Sequence, residues 1–168
     1  MSEPRVLRLA DESRTFEAAA RMARALVTLD GPAVVYLSGE LGAGKTTFAR
    51  GLLRALGVEG SIRSPSYTLV EEHSAAGWEV LHLDLYRLDG PDSLEELGLR
   101  ERHRPGTLLL IEWPEKAAGR GLPPPDLELQ LRLEPGEHVA SAISHSPAGG
   151  ALLHALLGAA PDETGLSP

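Results

Sequence analysis

The sequence predicts an α/β fold of three layers, in which a mixed central sheet lies between helices and a β-hairpin follows near the C-terminus. Three observations lead to this prediction. Residues 33–38 are a buried apolar strand that enters a glycine-rich loop and then a helix. Residues 107–111 are an unbroken apolar run, typical of a strand covered on both faces. Leucines at every second position of 127–133 indicate a strand covered on one face.

Length and composition are those of one globular domain. The chain has 168 residues, of which 42% are hydrophobic, enough to bury a core. We expect one domain over residues 1–158 and a disordered tail over residues 159–168, which are small, polar and proline-containing. No apolar run is long enough to cross a membrane, no secretory signal is recognisable, and the lack of cysteine excludes disulfides and thiolate sites. A cytoplasmic protein is expected.

The formal net charge of −8 makes the chain acidic. Binding of nucleic acid phosphates requires clustered lysine and arginine, so this protein alone is a poor nucleic-acid binder. If it acts in a nucleic-acid pathway, a partner is expected to hold the nucleic acid.

The elements of the first third follow from periodicity and end signals. Arg5–Leu9 alternates as a short edge strand. A helix capped by Asp11 carries apolar residues at helical spacing up to about Leu29. The helix over 46–56 has apolar residues on one face and ends at Gly57.

The remaining predicted elements are shorter. In chain order they are a strand over 67–70, a hairpin loop over 73–77, a longer strand over 78–88, a short helix capped near Asp92, the strand over 107–111, a hairpin of strands 127–133 and 139–143, and a last helix over 151–157.

The loop Gly39–Thr46 is a complete G-x-x-x-x-G-K-T motif, the Walker A phosphate loop. Its glycines permit backbone conformations in which the N–H groups point inward and cradle phosphate oxygens at a helix N-terminus. Lys45 is suited to reach the terminal phosphates, and Thr46 to bind Mg²⁺. Since the motif joins a strand to a helix, it predicts the nucleotide site of a P-loop NTPase fold.

Two carboxylates are candidates for the chemistry beside this loop. Glu112 directly follows a buried strand, which is where phosphate-loop proteins hold their Mg²⁺-binding acid. Asp84 follows the apolar positions of the strand predicted over 78–88, with His82 on the same side. Two purely structural interpretations remain open, namely that Asp84 is an exposed carboxylate paired with Arg87 and that Glu112 caps a turn. At least one acid should be in the metal shell, and Glu112 is the first choice; His82 is taken as a packed strand histidine.

The neighbouring segments suggest a sensor and a lid. Residues 64–68 lie between the loop helix and the next strand, where GTPases carry a switch loop that senses the γ-phosphate, and Trp113 follows the metal-shell acid. The Asn-Lys-x-Asp element by which GTPases recognise guanine does not occur in the sequence. ATP is therefore the expected nucleotide.

Four motifs together resemble the TsaE family, also called YjeE. They occur in the family's order and spacing, and the resemblance runs from about Arg5 to the last predicted helix. Ser66 departs mildly from the family, which more often has Thr there. The motifs are GELGAGKTT at 39–47, SPSYTLV at 64–70, HLDLYR at 82–87 and IEWPE at 111–115.

The resemblance implies an ATPase required for threonylcarbamoyladenosine modification of tRNA. The family's partners are TsaB and TsaD; TsaD transfers the group to tRNA, and ATP hydrolysis by TsaE is thought to reset the TsaB–TsaD complex between turnovers. An acidic chain fits this role, because the partners would hold the tRNA.

The resemblance also implies roles for individual residues. Thr46 and Glu112 would bind Mg²⁺, and Asp84 would be the catalytic residue that orders the attacking water. The segment from Ser64, with Thr68, would be the switch loop, and Trp113 would pack beside it. The residues implied to contact the nucleotide are Gly42, Ala43, Gly44, Lys45, Thr46 and Thr47, with Glu12, Thr15 and Gly136 on the base side.

Two other classes of function remain open from the sequence. A small-molecule kinase could use the same loop and would need an arginine-bearing lid, for which Arg100–Arg104 is a candidate, although a solvated loop is its more ordinary interpretation. A non-hydrolysing module, in which ATP only props open a partner-binding surface, is the third possibility.

Overall fold

The computed structural model describes residues 2–65, 67–89 and 92–158, with the backbone alone at 92 and 93. Ser66 and the predicted tail 159–168 lie outside the described residues. The strands of this part are β1 (Arg5–Leu9), β2 (Ala33–Ser38), β3 (Val70–Ala75), β4 (Trp78–Asp84), β5 (Thr107–Glu112), β6 (Leu127–Glu134) and β7 (Glu137–Ser144). The α-helices are α1 (Glu12–Leu26), α2 (Lys45–Leu56), α3 (Asp92–Glu95), α4 (Leu99–Arg102) and α5 (Pro147–Leu156), and a 3₁₀ helix spans Pro114–Ala117.

The strands form one mixed sheet in the order β1-β7-β6-β2-β5-β4-β3. Strands β4, β5, β2 and β6 are parallel, whereas β3, β7 and β1 run antiparallel to their neighbours. The predicted mixed sheet and the C-terminal hairpin, β6 with β7, are confirmed. Because β2 lies between β5 and β6, the loop that follows β2 emerges at the carboxyl ends of four parallel strands, where α/β proteins bind ligands.

Helices cover both faces of the sheet and produce the predicted three layers. On one face α1, α2 and α5 pack over a core that includes Val35, Leu37 and Leu129. On the other face α3, α4 and the 3₁₀ helix cover a smaller core with Leu83, Ile111 and their neighbours. All six residues of β5 are buried, as expected for a strand covered on both faces.

The predicted strand over 67–70 and loop over 73–77 were wrong. Leu69 has a φ of 62° and its N–H donates to the carbonyl of Pro65, so the chain turns where a strand was expected. Strand β3 begins only at Val70 and continues to Ala75. Strand β3 lies at the edge of the sheet, where polar side chains face solvent, so its sequence resembles that of a loop. Only the turn at Ala76 separates it from β4.

Other element ends also differ from the sequence prediction. The strand expected to reach residue 88 stops at Asp84. The chain turns there because the Asp84 Oδ1 accepts a hydrogen bond of 3.0 Å from the backbone N–H of Tyr86, a turn typical of aspartate. Helix α1 ends at Leu26. Helix α5 begins at Pro147, one turn earlier than predicted, because Ser146 caps it by accepting from the Gly149 N–H.

Candidate active site

The phosphate loop connects β2 to α2. Gly44 is the N-cap of α2 and has a φ of 106°, a left-handed conformation that favours glycine. At Gly39, with a φ of 136°, a Cβ would overlap the backbone carbonyl oxygen of Leu131 on β6. The two outer glycines of the motif are thus required for different reasons, one by the turn into the helix and the other by close packing against a neighbouring strand.

The Lys45 side chain folds back over the loop. Its Nζ donates to the carbonyl of Gly39 and, at 2.9 Å, to that of Glu40, and it lies 4.1 Å from the centroid of the Trp113 ring. Burial lowers the pKa of Lys45, while nearby carboxylates, Glu112 foremost, oppose that shift. The site therefore holds a partly desolvated cation next to its acids.

Asp84 and Glu112 are paired in register at the ends of the parallel strands β4 and β5. Thr46 Oγ1 donates a hydrogen bond of 3.0 Å to Glu112 Oε1. Ser64 Oγ donates one of 2.6 Å to Asp84 Oδ2 and lies 3.3 Å from Glu112 Oε2. The structure thus brings the loop threonine, both acids and the first switch residue together, and Asp84 and Glu112 are nearly completely buried. The alternatives of an exposed Asp84 paired with Arg87 and of Glu112 as a turn cap were wrong.

The oxygen atoms of Thr46 and Glu112 fit Mg²⁺. Their separation of 3.0 Å matches the ~3 Å between adjacent ligands of an octahedral ion with bonds of about 2.1 Å. In the described ranges no group of three or more His, Cys, Asp or Glu is arranged to hold a metal ion.

His82 contacts Glu112, the predicted metal-binding acid, directly, which the sequence did not reveal. Its Nε2 lies 2.6 Å from Glu112 Oε2, and both side chains are 1% exposed. A carboxylate only accepts hydrogen bonds, so Nε2 carries the hydrogen. His82 is therefore packed, as expected, but it also orients the acid. The sequence contained one indication of this contact: His82 lies two residues before Asp84, which places both side chains on one face of β4.

A cavity of about 530 Å³ extends from these groups to the surface. It contains most of the residues predicted from the sequence and several that sequence reasoning missed. Its predicted lining is Gly42, Gly44, Lys45, Thr46, Thr47, Ser64, Asp84, Glu112 and Trp113, and its further lining is Leu41, Tyr86, Arg87 and His138.

Aromatic rings form one wall of this cavity. Trp113 has a φ of 59° and a ψ of 48°, a left-handed conformation that is costly for a bulky residue, and its N–H donates to the carbonyl of Leu37. Its ring lies 4.9 Å from that of Tyr86. The strained backbone thus turns the tryptophan toward Lys45 directly after the acid of β5.

Of the three residues predicted to contact the base, the structure places two beside the phosphate loop and one away from it. Glu12 and Thr15 of α1 line a second, small cavity of about 90 Å³ together with Ala43 and Thr47, next to the phosphate loop. Gly136, in contrast, lies in the turn between β6 and β7 with a φ of 82° and lines neither cavity. The turn glycine was the feature visible in the sequence, but His138, two residues later, is the hairpin residue that lines both cavities.

Thr68 does not line the cavity beside the phosphate loop either. Its side chain is exposed and donates to the carbonyl of Val70 at 3.2 Å, because the turn at Leu69 directs it away from the acids. Of the predicted switch residues, Ser64 and Trp113 lie in the site and Thr68 lies outside it.

A larger cavity of about 640 Å³ lies elsewhere, between β2, β6, β7 and the 3₁₀ helix. Its described lining includes Glu115 and Glu128 but no lysine, arginine or histidine. Without a cation or a glycine-rich loop it does not suit a nucleotide phosphate.

No described helix combines the length and the apolar character needed to cross a membrane.

Comparisons with known proteins agree with this geometry. The family model named Threonylcarbamoyl adenosine biosynthesis protein TsaE matches residues 9–141. A tRNA threonylcarbamoyladenosine biosynthesis protein TsaE of Haemophilus influenzae is 42% identical over 125 residues, 67% of this chain and 78% of that protein. The protein of the same name from Rickettsia felis is 36% identical over 143 residues, 84% and 81% of the two chains.

A solved structure shares the fold. The crystal structure of YdiB from Bacillus subtilis superimposes with a TM-score of 0.68 at 25% identity, covering 94% of this chain and 96% of that one. Its similarity extends over almost the whole chain. Together with the family match and the two relatives, it shows that this chain belongs to the TsaE family.

Proposed function

We propose that this protein is a Mg²⁺-dependent ATPase required for threonylcarbamoyladenosine modification of tRNA, with residues 1–158 as its ATPase domain. The observation that carries the proposal is the register pair of Asp84 and Glu112, which faces the hydroxyl of Thr46 at the start of the phosphate-loop helix. This arrangement has the parts that phosphoryl transfer from a nucleotide requires.

Each group has a separate task in the proposed reaction. The loop N–H groups and the Lys45 ammonium bind the phosphates, and Thr46 with Glu112 holds the metal. Mg²⁺, when bound, neutralises charge on the phosphate oxygens. Asp84 accepts a hydrogen bond from the attacking water and so orients it. Ser64, hydrogen-bonded to Asp84 at 2.6 Å, links this acid to the segment that senses the γ-phosphate.

The proposed partner is the TsaB–TsaD complex, on which ATP hydrolysis permits repeated turnovers. The names of the relatives support a place in this modification, and the net charge of −8 supports indirect contact with tRNA through the partners. The proposed location is the cytoplasm, together with the partners that act on tRNA. We expect weak hydrolysis by the isolated chain, because a group supplied in trans is worth ~10³ to 10⁵ in the rate of phosphoryl transfer.

ATP is the proposed nucleotide. The sequence has no Asn-Lys-x-Asp element for guanine, and Glu12 and Thr15 lie beside Thr47, where a base or ribose bound next to the loop would be within reach.

The structure removes the main support for a small-molecule kinase. The segment proposed as an arginine lid is not a loop, since Leu99–Arg102 is helix α4. Arg102 forms ion pairs of 2.8 Å with Glu72 and 2.6 Å with Glu79, and Arg104 lies 3.4 Å from Glu79. Glu79 is near the opposite end of β4 from Asp84, so these arginines are held away from the phosphate loop.

The decisive experiment measures ATP hydrolysis and tRNA modification by the purified chain with and without TsaB–TsaD and tRNA. We expect stimulation by the complex. We further expect Asp84→Ala to bind ATP but to lose hydrolysis and multiple-turnover modification. A phosphorylated small molecule as product would establish the kinase, and intact modification with Asp84→Ala would establish the non-hydrolysing module. Equal hydrolysis with and without partners would disprove the proposed stimulation.

A further inference from the structure

His138 connects the C-terminal hairpin to the phosphate loop. It is the second residue of β7, and its Nδ1 lies 2.9 Å from the carbonyl oxygen of Ala43. A carbonyl oxygen only accepts hydrogen bonds, so Nδ1 carries the hydrogen and donates it. The half-buried ring also lines both the nucleotide cavity and the smaller cavity beside Glu12.

This hydrogen bond determines the orientation of one peptide group. The peptide between Ala43 and Gly44 is planar and trans, so its C=O and the following N–H point in opposite directions. With the Ala43 carbonyl held toward His138, the Gly44 N–H points away from β7. Among the described residues no backbone acceptor is paired with that N–H, which leaves it free to bind a phosphate oxygen.

The peptide requires such a restraint because glycine follows it. Gly44 has a φ of 106°, and a residue without a Cβ permits the preceding peptide to rotate at little steric cost. A rotated peptide would present a carbonyl oxygen, instead of an N–H, to the phosphates.

The restraint itself is rigid. His138 is paired with Leu9 on β1 and with Leu133 on β6, so the backbone that carries the ring is held on both sides. The contact is thus built by strands remote from the loop in sequence.

We infer that His138 is a positioning residue that holds the Ala43–Gly44 peptide with its N–H toward the bound phosphates. The inference rests on the proposed nucleotide function. It assigns to the β6–β7 hairpin a direct part in phosphate binding, beyond the motif residues of the loop.

The test compares variants that remove or retain the donor. His138→Phe keeps a ring without a hydrogen-bond donor, whereas the side-chain amide of His138→Asn can occupy the position of Nδ1. We expect His138→Phe to bind ADP about tenfold more weakly, the size of one lost hydrogen bond, with unchanged affinity for AMP, which lacks the β-phosphate. His138→Asn should bind ADP nearly as the wild type does. His145→Phe is the matched control, since His145 follows the same strand and pairs with Glu128 at 3.0 Å.

Calorimetric titration of the full chain with Mg²⁺-ADP and with AMP provides these affinities. Equal ADP affinity of His138→Phe and wild type, an equal loss for AMP, or a loss in His138→Asn as large as in His138→Phe would each overturn the inference. Failure of the wild type to bind ADP would instead overturn the proposed function. Nitrogen NMR of the wild type gives a check that does not depend on any variant: a hydrogen on Nδ1 of neutral His138 agrees with the inference, and one on Nε2 alone contradicts it.

Discussion

The imidazole of His82 donates a hydrogen bond of 2.6 Å to Glu112, and both side chains are 1% exposed. The pair links two neighbouring parallel strands underneath the candidate metal site. The other carboxylate oxygen of Glu112 accepts from Thr46, so one histidine determines which oxygen is presented to the phosphate loop. Groups that orient a metal ligand in this way typically influence metal affinity or activity by about 10- to 100-fold.

Replacement of His82 should therefore alter the Mg²⁺ dependence of the protein. In His82→Phe the buried Glu112 carboxylate loses the shorter of the two hydrogen bonds at Oε2 and keeps there only Ser64 Oγ at 3.3 Å, which should lower the free energy of unfolding by about 1–3 kcal/mol. The Mg²⁺ concentration for half-maximal ATP hydrolysis should rise about 10- to 100-fold. A metal titration of hydrolysis and urea unfolding measure the two effects.

The matched variant is His82→Gln, whose amide can donate to the same oxygen and should recover part of both losses. An unchanged Mg²⁺ requirement in His82→Phe would show that the histidine only fills space.

Tryptophan fluorescence should report nucleotide binding through Trp113. Its ring lies 4.1 Å from Lys45 Nζ, and we expect phosphate to draw the ammonium away from the ring. Mg²⁺-ATP should therefore change the emission of the wild type. The other tryptophan of the chain, Trp78, is 5% exposed at the far end of β4, so Trp78→Phe should retain the change and Trp113→Phe should abolish it. The opposite assignment would place the nucleotide elsewhere.

The ion pairs of Arg102 should contribute stability that depends on pH. Hydrogen bonds from Arg102 hold the pKa values of Glu72 and Glu79 below their usual value of 4.5. A carboxyl whose pKa is lower in the folded state stabilises the fold above its unfolded pKa, and loses that contribution as the pH falls through the folded pKa.

Arg102→Met should consequently unfold at a lower temperature than the wild type at neutral pH, and the difference should shrink as the pH falls below 4.5. Thermal unfolding across that range measures it. ATP hydrolysis should be unaffected, because these pairs lie at the opposite end of β4 from Asp84; a large loss of activity would revive the arginine-lid interpretation.

Two adjacent glycines of α5 should respond in opposite directions to alanine. A Cβ at Gly149 would overlap the carbonyl of Asp126, whereas Gly150 faces open space. Gly149→Ala should lower the free energy of unfolding by about 1–3 kcal/mol through overpacking. Gly150→Ala should raise it by about 0.5–1 kcal/mol through the lower entropy of its unfolded chain. Urea unfolding of both variants tests this, and equal effects would contradict the close packing of α5 on Asp126.

Local sequence determined the parts of the site that are continuous in the chain. The motif of the phosphate loop consists of glycines, Lys45 and Thr46 between a strand and a helix, all within one segment, and was therefore recognisable from the sequence. Glu112 and Asp84 were recognisable because each follows apolar positions of a predicted strand. Most of the strands and the C-terminal hairpin were recognisable from the periodicity and turn signals of single segments.

Tertiary structure alone decided which distant side chains reach that loop. His138 faces Ala43 because the register of β7 on β6 sets the face of each strand residue and a slip of one residue would reverse it. Gly136 lies in the turn before β7 and lines neither cavity. Thr68 was wrongly predicted to lie in the site, because Leu69 has a left-handed backbone conformation that turns the chain before β3. His82 became a partner of Glu112 only when β4 lay beside β5. Contacts between strands depend on sheet order, which non-local packing determines and no single segment of sequence encodes.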